Sequence, residues 1–155
     1  MLDSLTVALV ENDRSQAELY RAMAMLHNEG VQRGDVTGAL PGRIINLVGN
    51  LLSSSEIPQD YIDRLVKAAV GGVEVVQGAP DLVLVDARWE GEDPFSGKPK
   101  GLEAIESLKT VGYNAVGITA HPDFAERFDF RRKPTSPDAF IALIASSLPK
   151  LQLAA

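Results

Sequence analysis

Apolar and polar positions along the chain fall into two alternating patterns. TVALV at 6–10, DLVLV at 81–85 and AVGIT at 115–119 are short apolar runs rich in β-branched residues, as in strands buried on both faces. FDFRR at 128–132 reads as a fourth strand. Between these runs apolar residues return at steps of three and four. Ala17, Tyr20, Ala24 and His27 form one helical stripe, flanked by Leu19, Met23 and Leu26, and Leu102, Ile105 and Leu108 form a second. A third helix opens with Ser136 as cap and Pro137 at its first position, then runs through Phe140, Ile141, Ile144 and Leu148. Strands alternating with helices predict an α/β fold, a mostly parallel sheet covered on both faces.

The region 30–80 needs more than one element. Ile44, Leu47, Val48, Leu51 and Leu52 fit a helical stripe, and Ile62, Leu65, Val66 and Ala69 fit another after Pro58, so two helices joined by SSSEIP are expected. VEVV at 73–76 resembles a strand, but QGAP is too short a link to make it a parallel neighbour of DLVLV. It reads as a frayed helix end or an antiparallel edge. The missing strand is expected within 31–40.

Composition narrows the chemistry. The 155 residues suit one domain, 1–155, that can bury a core without staples. Fifteen basic against twenty-one acidic side chains, net −6, oppose direct binding to a phosphate backbone. There is no cysteine, which removes disulfides, thiolate nucleophiles and cysteine-held zinc. With His27 and His121 the sole histidines, any metal would be bound mainly through oxygen, as magnesium is. No secretory pattern or membrane-length apolar window is present, so a cytoplasmic protein with no membrane contact is expected. The chain closes at LPKLQLAA soon after its last helix, leaving no room for an output domain.

In an open parallel sheet, ligands gather outside the carboxyl ends of the strands. There the sequence puts Glu11, Asn12 and Asp13 after the first run, Asp86 after the second, Thr119 after the third and Lys133 after the fourth. Such a set can hold a divalent cation on its acids while lysine and threonine bind phosphoryl oxygens. Asp86 would then be the nucleophile, storing phosphate as an acyl phosphate. Taken singly, each residue reads more simply, as a helix cap, a surface pair, a strand-end hydroxyl or, for Phe130, core. The joint occurrence carries the site.

Glu11 and its neighbours, PDLVLVD ending in Asp86, GLEAI at 101–105, Thr119-Ala120 and Lys133-Pro134 together resemble the receiver domains of bacterial two-component response regulators. The resemblance covers about two thirds of the chain. It implies a flavodoxin-like, doubly wound sheet of five strands and phosphotransfer to Asp86 from a histidine kinase or phosphotransfer protein. Mg2+ would be held by Glu11, Asn12, Asp86 and the backbone carbonyl of Arg88. Lys133 and Thr119 would contact the phosphoryl group, and Phe130 with Thr119 would form the switch. Output would pass to a downstream protein partner or a homodimer, the domain being a phosphoacceptor rather than a turnover enzyme.

The departures are equally specific. Asn12 stands where the family usually has a second acid, so Mg2+ should bind more weakly, and Asp13 compensates only if the loop shifts. Fourteen positions from Thr119 to Lys133 cut the fourth helix, HPDFAERF, to about a turn. An extra helix in 42–70 and the expanded WEGEDPFSGKPK loop, with Trp89 and Phe95, complete the differences. Two other functions stay open: a phosphorylation-independent pseudo-receiver acting through protein contacts, and a Mg2+-dependent phosphohydrolase. The second wants an acid two residues after its nucleophile, where this chain has Arg88. Gly91 to Gly97-Lys98 mimics a nucleotide loop, but the spacing is too long and Pro99 replaces the hydroxyl. His121 has no partners for triad chemistry.

Overall fold

The computed structural model describes residues 3–35, 37–49, 58–71, 80–89 and 97–149. The first apolar run is longer than its core suggests and forms β1 (Asp3–Val10). It is followed by α1 (Arg14–Gln32), β2 (Arg43–Gly49), α2 (Pro58–Gly71), β3 (Leu82–Asp86), α3 (Lys100–Thr110), β4 (Ala115–Thr119), α4 (Pro122–Arg127), β5 (Arg131–Arg132) and α5 (Pro137–Ser147). The five strands make one sheet in the order β2-β1-β3-β4-β5, every pairing parallel. With helices on both faces this is the expected flavodoxin-like doubly wound architecture.

Alternation along the strands divides the interior in two. Leu5, Val7 and Leu9 of β1, with Leu82 and Leu84 of β3, pack under α1 and α5 against Tyr20, Met23, Phe140 and Ile144. Ala8 and Val10, with Val83 and Val85, pack on the other face under α2 and α3 against Ile62, Leu65, Ile105 and Leu108. Burial on both faces explains why β1 and β3 read as unbroken apolar runs.

Two expectations for the middle of the chain are corrected. Residues 43–49 form the strand β2 rather than a helix over 44–52, and 31–40 holds the end of α1 and a turn-rich loop rather than a strand. RIINLVG satisfies helical spacing and strand composition at once, because periodicity cannot separate a short buried strand from a helix. Its bounds are set by Gly42 and Gly49, with φ of +74° and +113°. The loop before it turns at Gly34 and Gly38, with φ of +87° and +93°, where a strand cannot continue. Edge strand β2 is held from the side by α1. Asn28 Nδ2 donates to Ile45 O at 2.8 Å, Ile45 N donates to Asn28 Oδ1 at 2.7 Å, and His27 Nε2 lies 2.7 Å from Arg43 O. These side chains occupy backbone groups that an exposed edge would offer to another strand.

The second expected helix is present as α2, and it is the ordinary crossover from β2 to β3 rather than an addition. VEVV, most of SSSEIP, Leu51, Leu52 and Phe95 lie outside the described residues. The strand expected over 128–132 shrinks to Arg131–Arg132. Phe128 caps α4, and Asp129 adopts φ +58°, which breaks the extended backbone just before Phe130. Helix α4 is short, as expected, with six residues. In α1 the buried side is Ala17, Tyr20, Met23 and Ala24, while Leu19 and Leu26 of the flanking stripe are exposed.

Candidate functional site

Strand order reverses between β1 and β3, and the residues following both strands meet there. Val10 pairs with Val85, so Glu11 emerges beside Asp86. Lys133 arrives from the far edge, its backbone N–H donating to Thr119 O at 2.9 Å at the end of the β4–β5 pairing. Its ammonium lies between the two acids, 3.0 Å from Glu11 Oε2 and 3.1 Å from Asp86 Oδ1. The Glu11 side chain is fully buried, that of Asp86 nearly so, and that of Lys133 partly buried. Three ionisable groups far apart in sequence thus form one cluster at the place where such folds bind ligands.

Two carboxylates share one ammonium, and the imbalance appears in their proton affinities. Burial, then the Asp86 carboxylate, lifts Glu11 from 4.5 to about 7, although Lys133 and the Asp13 backbone N–H pull the other way. Burial also raises Asp86 above the usual carboxylate range, opposed by its contacts with Lys133 and Glu11. For Lys133, burial would depress the ammonium, but Asp86 and Glu11 together outweigh it and hold it above the ordinary lysine range. Lysine therefore stays charged while the acids carry the strain. Tyr20 of α1 lies within the field of all three, and burial raises its phenol to about 12.

An open cleft over the cluster is lined by Glu11, Asn12, Asp13, Arg14, Asp86, Arg88, Trp89 and Lys133. Most of the expected site is thereby assembled, with three refinements. Asp13 caps α1, its Oδ1 accepting from Gln16 N at 3.3 Å, and its own N–H donates to Glu11 Oε1 at 3.2 Å. It therefore caps the helix and orients Glu11 in the present loop conformation. Thr119 is buried at the end of β4, but its Oγ1 accepts from His121 N at 3.1 Å and does not line the cleft. Phe130 is buried, lying against Gly117 of β4.

The loop after Asp86 is held by residues whose part was not apparent in the sequence. Ala87 N donates to Ile118 O at 3.0 Å, and Trp89 folds inward so that its indole N–H donates to Asp86 O at 3.0 Å. Gly101 opens α3 against the same loop, its N–H donating to Ala87 O at 3.0 Å. A Cβ at Gly101 would lie 2.8 Å from Ala87 O and closer still to Asp86 O. That close approach explains the glycine of GLEAI.

A divalent cation fits the donor set in kind: Glu11 and Asp86 share one ammonium between two carboxylates, and Asn12 adds a neutral oxygen. Among the described residues, no group of three or more His, Cys, Asp or Glu side chains converges as a cation site. No described helix is long and apolar enough to cross a membrane.

No family model matches the sequence, and no curated protein matches it. The chain is similar to a solved structure titled as a yeast Spc42 trimeric coiled coil, amino acids 181–211, fused to another structure. The TM-score is 0.58 at 17% identity, covering 99% of this chain and 81% of that one. At that identity the likeness is one of fold.

Proposed function

We propose that this chain is a receiver-like phosphoacceptor domain of a two-component phosphorelay, taking a phosphoryl group on Asp86. The observation that carries the reading is the Lys133 ammonium set 3.0 Å from Glu11 and 3.1 Å from Asp86 at the β1/β3 reversal. A buried carboxylate beside a fixed cation, open to a cleft, is equipped to attack phosphorus and to stabilise the product. A carboxylate oxygen of Asp86 would form the new P–O bond as the P–N bond of a phosphohistidine breaks. The leaving imidazole takes its proton from solvent. Lys133 pairs with Asp86 before transfer and with a phosphoryl oxygen after it. The Thr119 hydroxyl accepts from His121 N, which leaves its own O–H to donate once the loop rearranges.

Glu11, Asn12, Asp86 and the Arg88 carbonyl are the groups that would hold Mg2+. When bound, Mg2+ would offset the second carboxylate and the charge of the phosphoryl group. The donor is a histidine kinase or phosphotransfer protein, the output a downstream protein or a second copy of this chain, and the compartment the cytoplasm. Incubation with Mg2+ and a small phosphodonor, followed by intact mass measurement, should show one phosphoryl adduct that Asp86→Asn abolishes. No adduct, or one that survives the substitution, overturns the reading.

A second reading is a pseudo-receiver that works by protein contact without phosphate. Asn12 favours it, because the cleft has one acid fewer than a strong cation site needs. Mg2+ affinity that disappears in Asp86→Ala would exclude it. A phosphohydrolase is the weakest reading, since the residue two past Asp86 is Arg88, whose guanidinium stacks on an aromatic ring.

A further inference from the structure

Arg88 belongs to two environments. It lines the cleft with Glu11, Asn12, Asp86 and Lys133. Its guanidinium carbon also lies 4.4 Å from the centroid of the Phe124 ring on α4, within cation–π range. One side chain therefore spans from the phosphoacceptor loop to the short fourth helix.

That helix lies at the surface. None of its six residues is buried, and it meets the core through Phe124, with Phe128 just beyond its end, both partly buried against the α2/α3 cluster. The rings continue in series from Phe124. His121 lies edge-on at 5.5 Å, Phe128 at 5.9 Å, and Phe130 lies 6.2 Å beyond Phe128. Phe130 closes the series on Gly117, where an added methyl would meet Ile105 Cδ1 at 2.8 Å and the Phe130 ring closer still. A row of packed side chains thus joins Arg88 to the β4–β5 edge.

Resting on the reading of Asp86 as phosphoacceptor, we infer that Arg88 transmits charge placed on Asp86 to α4. In the structure its guanidinium is seated on Phe124. A phosphoryl dianion on Asp86, two residues away, offers charge-assisted and bidentate hydrogen bonds that a ring face cannot match. The guanidinium then leaves Phe124 for the phosphoryl oxygens, and α4 loosens together with the ring row behind it. Arg88 is a positioning residue for α4, acting through Phe124. The conformational change needs no long helix to displace, which suits a chain whose fourth helix is one turn and a half.

Beryllium trifluoride with Mg2+, as a stable phosphoryl mimic, tests this on the full chain. Fluorine NMR reports the bound mimic. Amide exchange at Ala125 and Phe128 reports α4, because their N–H groups donate to His121 O at 3.2 Å and Phe124 O at 3.1 Å. In the unmodified chain the mimic should speed exchange at both amides about two- to fivefold, the range expected for loss of a cation–π contact. Arg88→Gln and Phe124→Leu should show the faster exchange without the mimic and no further rise with it. Phe124→Tyr, which keeps the ring, should behave as the unmodified chain. Bound mimic with unchanged exchange overturns the inference, as does Arg88→Gln exchange equal to that of the unmodified chain without the mimic. Absence of bound fluorine signals overturns the phosphoacceptor reading itself and the transmission with it, and the mimic-free comparison then still shows whether the contact restrains α4.

Discussion

Glu11→Gln should make the protein more stable, and by an amount that depends on pH. Glu11 is a fully buried carboxylate that shares one ammonium with Asp86, and its proton affinity rises from 4.5 to about 7. At about 1.4 kcal/mol for each tenfold change in proton affinity, that rise corresponds to about 3 kcal/mol. The sign follows from proton binding. Between 4.5 and 7 the folded state holds a proton that the unfolded state has released, so the stability present below 4.5 is lost as pH rises through about 7. Above that value the folded chain carries the full burden of the buried charge. Glutamine removes the charge and keeps the shape, but it replaces one of two accepting oxygens with a donor. Glu11 uses both, Oε2 toward Lys133 and Oε1 toward Asp13 N. Losing one acceptor costs about 1 kcal/mol, which leaves a net gain of about 2 kcal/mol near pH 8. Near pH 5.5 only about two fifths of the electrostatic gain remains, so the variant and the parent should be nearly equal. Urea unfolding followed through Trp89, the single tryptophan, measures both. A variant less stable than the parent near pH 8 would refute the strained-cluster reasoning.

Three further substitutions probe separate parts of the account. Gly101→Ala places a methyl against Ala87 O and Asp86 O, so it should lower stability by about 1–3 kcal/mol and weaken any Mg2+ binding, as read by urea unfolding and by metal titration of Trp89 fluorescence. Asn12→Asp should tighten Mg2+ binding by about tenfold, since ligand charge sets affinity in oxygen sites; an unchanged titration would mean that residue 12 is not a ligand. Gly117→Ala meets the Phe130 ring and should turn it outward, seen as loss of NMR cross-peaks between Phe130 and Ile105 while the sheet is kept.

The parts of the fold that could be read from sequence are those whose burial pattern is unambiguous. β1, β3 and β4 are short β-branched runs between turn residues, and their length and composition favour strands over helices. β2 was legible as apolar but not as a strand, because Ile44, Leu47 and Val48 satisfy both periods. What decides it is tertiary: the register with β1 and the clamp from Asn28. β5 misled in the other direction, since FDFRR has strand composition but the backbone at Asp129 turns away. Glu11, Asp86 and Lys133 could be placed because strand-end position in a parallel sheet fixes where they converge. Asp13 could not be separated from its neighbours, as a capping carboxylate and a cation ligand look alike in sequence. Gly101, Trp89 and the Arg88 guanidinium act through close approaches between distant segments, for which a single sequence carries no periodic signal.

Chemical trapping of the phosphorylated residue tests the central claim most directly. After exposure to Mg2+ and a small phosphodonor, borohydride reduces an aspartyl phosphate to homoserine, and peptide mass spectrometry locates the change. The account predicts homoserine at position 86, dependent on Mg2+ and lost in Lys133→Ala. Homoserine at any other position, or none at all, would contradict it.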